Sequence, residues 1–334
     1  MLKPFNLSTH PTEKLTSVEM GKLWATYAGN TMAMPILKYY LQYVEDNDIK
    51  TLLENALTLS QEFAKAIKEI FKREDFPIPK GFSDNDVNFN APRLFHDEFY
   101  VHYLKYTAKA GMSIYNVALP LVYRSDVKEF YRYCIDSTMD LMDSIKEILM
   151  KKGLIIKPPY IPIPEDVEFV KEDFLNGYFG HVRPLHALEI THMYDNIENN
   201  VTSRALIRAF ARLAKDEKIR ELFKKGEKLT TTHIENLTEK LHKENLPSPS
   251  LIDDLVTSST IPPFSEKLML SHKMDMFSMK MRSFGNSIAV NGRHDIGFLY
   301  AKSLMKNAAF VEDAMKTLIE RGWMEQIPFA TGRI

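Results

Sequence analysis

The chain has 334 residues, 45% of them hydrophobic and 26% charged, with 43 Lys and Arg against 44 Asp and Glu. This is a globular composition, long enough for two ordinary domains, and it excludes the disordered and fibrous classes. The near-balance of charge supplies no field that would draw the chain to nucleic acid or to an anionic membrane, so neither is an expected partner.

One cysteine, Cys134, rules out an internal disulfide framework and fits a reducing compartment. The first residues, Met1-Leu-Lys-Pro-Phe-Asn, lack an apolar core of signal-peptide length. The most apolar stretch, 111–123, is too short to span a bilayer and contains Asn116 and Pro120. The expected location is the cytoplasm.

In chain order, helices are predicted over 15–44, 47–74, 92–121 and 125–152. The starts are signalled by Thr16 or Ser17 with Glu19, by Asp46 to Asp48, and by Ser125-Asp126. Apolar spacing such as Leu52, Ala56, Leu59, Phe63, Ile67 and Ile70 has the helical period. Pro35 falls inside the first helix, where a lost hydrogen bond predicts a kink. Gly153, just after a basic residue, ends the fourth helix.

A strap comes next, Lys157-Pro-Pro-Tyr-Ile-Pro-Ile-Pro-Glu-Asp166, whose prolines cannot continue a helix and favour a stiff extended segment. Beyond it the pattern is written again. With Leu15 placed over Leu185, Asp46-Asn-Asp-Ile49 meets Asp216-Glu-Lys-Ile219, and Phe76-Pro-Ile-Pro79 meets Leu246-Pro-Ser-Pro249. After a one-residue deletion, Phe95 meets Phe264, Arg124-Ser-Asp126 meets Arg293-His-Asp295, and Gly153 and Pro159 meet Gly322 and Pro328. Turn residues agreeing across one offset mark a duplication. The second copy is predicted to be helical over 184–214, 216–244, 263–290 and 294–321.

Each copy pairs its helices through short turns, with a long crossover rich in Pro, Asp and Ser between its second and third helices. That crossover can run the length of the bundle. The predicted fold is all-α: two tandem ferritin-like four-helix bundles, each up-down-down-up with one long crossover. The predicted division is a bundle at 1–156, a linker at 157–182 and a bundle at 183–334.

Leu15-Thr-Ser-Val-Glu-Met-Gly-Lys-Leu-Trp24, Asn88-Phe-Asn-Ala-Pro-Arg-Leu-Phe95, the proline strap and Arg183-Pro-Leu-His-Ala-Leu-Glu-Ile-Thr-His192 carry a resemblance covering nearly the whole chain. The sequence resembles the domain of unknown function 3231 family, tandem-repeat proteins of spore-forming Gram-positive bacteria. The resemblance implies a ferritin-like fold for both halves and a structural, stress- or spore-related setting. It also implies a histidine on the second and third helices of each unit. The second copy keeps His233 and His272, whereas the first has Phe63 opposite His233, and Tyr103 and Tyr106 near the position of His272.

A di-iron bundle needs carboxylates from two helices and a Glu-x-x-His step from each of the other two. The first copy offers only Asp136 at the right depth. In the second, Glu198, His233 and Asp275 fall at similar depth with His272 one turn from Asp275, a set that could take one iron, zinc or manganese ion. Against this, the fourth helix offers only Lys306 and Asn307 there, and Thr230 stands where the step needs a glutamate. The literal step is Glu189-Ile-Thr-His192, with His186 a further three residues back, a second candidate set near the end of the bundle. Glu19 holds the matching position without a histidine beside it, so helix capping is the preferred expectation for Glu189.

No phosphate-cradling glycine loop, nucleophile elbow or paired-cysteine zinc spacing is present. His96-Asp97-Glu98 reads as a cap on the third helix. Met269, Met274, Met276, Met279 and Met281 cover several faces of one predicted helix, so self-association through 263–290 is an expectation alongside core packing. The leading expectation is a non-enzymatic structural or interaction protein. The alternatives are a metal-binding, oxidase-like protein with its site in the second bundle, and an apolar small-molecule carrier.

Overall fold

The computed structural model describes residues 12–330. Eight long helices account for most of them: α1 (Ser17–Tyr43), α2 (Asn47–Arg73), α3 (Asp97–Ala118), α4 (Ser125–Lys151), α5 (Ala187–Leu213), α6 (Glu217–Lys243), α7 (Glu266–Val290) and α8 (His294–Glu320). Short 3-10 turns punctuate the connections, and among the described residues there is no strand; Val87 and Phe264 form an isolated antiparallel bridge.

The all-helical expectation holds, and side-chain contacts give the helix directions. In the first copy Asp97 meets the start of α2 and Tyr115 packs on Phe63, so α2 and α3 advance together. In the second, Lys280 meets Thr230 and Phe284 meets His233, so α6 and α7 are likewise parallel. Phe277 stacks on Phe310 and Phe284 meets Tyr300 at a tilt, which sets α8 antiparallel to α7. Each copy is therefore an up-down-down-up bundle, the arrangement that a long crossover between its middle helices permits.

The chain divides into two compact units. One gathers the described parts of Met1–Lys152 and Leu318–Ile334 together with Thr257–Met269; the other gathers Gly153–Val256 and Leu270–Thr317. Hydrogen bonds tie the later segments of the chain into the first unit. The Asn88 N–H donates to the Pro263 carbonyl (2.7 Å), Ser265 to Asp86 (2.8 Å) and Thr257 to Leu94 (2.9 Å), while Glu325 accepts from the amide of Lys80 (2.9 Å).

Local chemistry explains the helix ends. Thr16 and Glu19 form a reciprocal capping box on α1, and His186 and Glu189 form one on α5. Asp46 and Asp216 accept from the first amides of α2 and α6. α1 runs through Pro35 without interruption. α3 starts at Asp97, not at 92, and α7 at Glu266, not at 263. Asp97 does not serve α3 as expected: its carboxylate accepts from the backbone amides of Glu45 and Asp46, fixing the turn between α1 and α2.

A polar clamp closes the same end of each bundle. In the first unit the buried Arg124 donates to both oxygens of Asp126 (2.9 and 2.7 Å), to Glu74 (2.6 Å) and to the Glu13 carbonyl (3.1 Å). Glu19 completes it by accepting from the amides of Tyr123 and Arg124. In the second unit Arg293 bonds Asp295, Glu244 and the Arg183 carbonyl in the matching way. Burial alone would raise the Glu19 carboxyl pKa, but the amides of Arg124, Thr16 and Tyr123 outweigh it and hold the group below the usual range.

The first unit is filled with hydrocarbon and rings. Leu23, Tyr27, Phe63, Ile67, Phe71, Tyr115, Phe130, Tyr131 and Cys134 form its core cluster, with Phe63 edge-on to Tyr115 and Phe130. Cys134 is buried in this cluster, which pushes its thiol far above the usual pKa and leaves it an unreactive core residue. The strap carries no helix or strand, and Tyr160 and Ile163 in it, with Val167 and Phe169 just beyond, are each at least 90% exposed.

Candidate functional site: a polar interior in the second bundle

The second unit differs from the first in what its helices enclose. On α5, Asn196, Asn200 and Ser203 are buried; on α6, Thr230 and His233; on α7, His272, Lys273, Lys280 and Ser287; on α8, Asn307. The part around Asn196 is well satisfied: its amide donates to Ser287 (2.8 Å) and its carbonyl oxygen accepts from Ser283 (2.7 Å). The part around the lysines is not.

Lys273 and Lys280 are 0% and 2% exposed, and among the described residues neither has a carboxylate partner. Lys273 fills its donor capacity with neutral acceptors, the Ser203 carbonyl (3.0 Å), the Ser203 hydroxyl (2.7 Å) and the Met276 sulfur (3.1 Å). The Lys280 Nζ has one acceptor, the Thr230 hydroxyl at 2.9 Å, which itself donates to the Gly226 carbonyl. The same nitrogen lies 4.1 Å from the centre of the Phe277 ring. An ammonium group carries three N–H donors, so the Lys280 head is under-satisfied. Burial, joined for Lys273 by the charge of Lys280, drives both pKa values far below the lysine norm.

Two further buried polar groups close to this level have no hydrogen-bond partner. His233 lies one turn from Thr230, edge-on to Phe284 (5.2 Å between centroids), and neither ring nitrogen is bonded. Burial, then the charges of Lys280 and Lys306, push it down to about 3, so the ring is neutral at pH 7. Asn307 is fully buried with both amide atoms unbonded, one turn from Phe310, whose ring stacks on Phe277 at 3.9 Å. Unmet buried polar groups of this kind are rare in folded proteins and each calls for a reason.

The metal-ligand expectation is not what the helices assemble. Among the described residues no group of three or more His, Cys, Asp or Glu is placed to hold a metal ion. His233 and His272 face the interior, Glu198 is half-buried, and Asp275 lies exposed on α7, so the four candidates do not converge. The reason is angular: Asp275 falls on the opposite side of α7 from the buried positions 273, 276, 277 and 280.

In the second set, His186, Glu189 and His192, the carboxylate is already engaged. Both Glu189 oxygens are taken, one by Gly292 N–H and Arg183, the other by His186 N–H and Arg183. Burial would raise that carboxyl, but Arg183 and the amides of His186 and Gly292 hold it down. Glu189 is a structural cap, and His192 sits half-buried further along α5.

Residue patterns do not single out Lys273, Lys280 and Asn307 as a site, since lysines on a Met-rich helix read as a solvated face. The signal lies in the duplication. With Phe95 over Phe264, Leu104 stands for Lys273, Gly111 for Lys280 and Tyr103 for His272; with Leu15 over Leu185, Phe63 stands for His233.

The DUF3231 family, described as protein of unknown function, matches residues 6–167 and again 173–333. The chain belongs to the DUF3231 family. It carries two copies of the DUF3231 domain in tandem, in agreement with the duplication and the resemblance read from its motifs. No curated relative matches this DUF3231 chain. A solved structure of a proposed spore coat protein from Bacillus halodurans C-125 is similar at 17% identity and a TM-score of 0.43, covering 45% of this chain and 98% of that one. A likeness that distant carries no argument about role. No helix among the described residues is long and apolar enough to cross a membrane.

Proposed function

We propose that this protein is a non-enzymatic binding protein built on two ferritin-like bundles, the first a filled scaffold and the second the carrier of an internal polar binding site. The observation that supports this is the contrast inside one chain. The same frame packs with Phe63, Leu104 and Gly111 in one copy and with His233, Lys273 and Lys280 in the other. Holding an amine in a dry interior costs several kcal/mol, either as desolvation of the charge or as displacement of its proton. A frame that folds without these lysines keeps them for something other than packing.

Binding fits the geometry better than catalysis. A general base or activated nucleophile is oriented by a second group within hydrogen-bond reach. His233 has no such orienting partner.

The test is the stability of the Lys273→Leu/Lys280→Met double variant, measured by chemical denaturation of the full chain at neutral pH. Removing two uncompensated buried amines is expected to raise the unfolding free energy by about 1–4 kcal/mol. A loss of stability would mean that the lysines serve the fold, and would end the proposal.

A further inference from the structure

We infer that the interior around Lys280 binds a small organic carboxylate, its head group on the Lys280 amine and its hydrocarbon body among Phe277, Phe284 and Phe310. This ligand class rests on the reading of the second bundle as a binding domain and deepens it.

The charge type comes from the side chains present. Lys280 has donor capacity left after its bond to Thr230, and the groups near it are cationic or neutral: Lys273 on its own helix, His233 on α6 with Lys306 beyond it, and Asn307 on α8. An anion is the one partner that turns this arrangement from costly to favourable, because an ammonium–carboxylate contact in a water-poor site is a strong, charge-assisted hydrogen bond. On the helices that flank α7, the His233 ring of α6 and the Asn307 amide of α8 are buried with no hydrogen-bond partner. Lys273 is already satisfied by Ser203 and Met276, so it leaves the contact to Lys280.

The body of the ligand is set by the walls. The ring of Phe277 lies under the Lys280 nitrogen and stacks on Phe310, and Phe284 faces His233. Such surroundings favour a hydrocarbon or aryl chain over a hydrated inorganic ion. A carboxylate beside the Lys280 nitrogen favours its charged form, so binding raises the pKa of that group, and any proton it takes up comes from solvent with no other bond changing.

The experiment is calorimetric titration of the full-length protein at about pH 7.5 with octanoate, benzoate, acetate and inorganic phosphate, repeated in two buffers of different ionisation heat. Octanoate or benzoate is expected to bind saturably with Kd below about 1 mM, and acetate and phosphate at least about tenfold more weakly. The heat should shift between buffers as proton uptake requires. Lys280→Met should weaken binding by at least about tenfold while thermal unfolding shows it to be folded; Lys273→Leu should weaken it less. Absence of saturable binding by either organic acid overturns the proposal, as does unchanged affinity in Lys280→Met. Phosphate binding as tightly as octanoate overturns the organic body. Failure here is separable from failure of the binding reading: a more stable lysine double variant, with neither organic acid bound by the unsubstituted protein, removes the ligand class alone, whereas a destabilised double variant removes the reading beneath it.

Discussion

Replacing Arg124 with methionine is expected to cost about 3–5 kcal/mol of folding free energy, and the matching change at Arg293 distinctly less. The two arginines occupy equivalent clamps, but their aspartates are not equally supported. Asp126 is fully buried, and its carboxylate is held by Arg124 and the Val127 amide. Without the guanidinium a charge is left in the interior with no cation. Asp295 keeps a second cation, Lys240, at the place where the first copy has Ile70. Denaturant unfolding of Arg124→Met and Arg293→Met, with unchanged slopes, would measure the difference. Equal losses would show that Lys240 does not share the load.

Mild acid should open the second bundle before the first. His233 and His272 are both pushed down to about 3, from an unfolded value near 6.5, by burial and then by nearby lysines: Lys280 and Lys306 for His233, Lys273 for His272. The folded pKa is the lower one. Between about pH 6.5 and 3 the unfolded chain therefore binds protons that the folded chain refuses, and stability present above pH 6.5 is lost as pH falls. Each histidine contributes a slope of about 1.4 kcal/mol per pH unit in that window. The lysines act in the same sense, since their folded pKa values are also depressed. Hydrogen exchange read by segment at pH 7 and at about pH 5 should show α6 and α7 losing protection while α2 and α3 keep theirs. A His233→Phe/His272→Tyr variant, carrying the first copy's residues, should flatten the acid dependence. An unchanged profile in that variant would contradict the account.

How much of the molecule is legible in the sequence depends on whether a residue's partners are local. The capping roles of Glu19 and Glu189 come from short-range spacing, and both are readable as caps. The Arg124-Ser-Asp126 and Arg293-His-Asp295 repeats are visible, but not their clamp, because Glu74, Glu244 and the carbonyls of Glu13 and Arg183 are far away in sequence. Asp97 reads as a cap of the wrong helix for the same reason: its acceptor role is toward Glu45 and Asp46. For the set Glu198, His233, His272 and Asp275 what sequence spacing leaves open is angle. Depth along a helix can be counted from its start, but Asp275 needs only a rotation of about 100° per residue to leave the face that His272 and Lys273 share. The lysines themselves are hidden by their type, since lysine is the residue least expected in a core.

The direct measurement of the central claim is an NMR titration of the lysine ε-methylene groups in the full-length protein, with Lys280→Met and Lys273→Leu variants for assignment. The account predicts two lysines that titrate far below the ordinary value of about 10.4 in the free protein, with that of Lys280 moving upward when octanoate is added. A full set of lysines titrating near 10.4 would place both amines in water and contradict it.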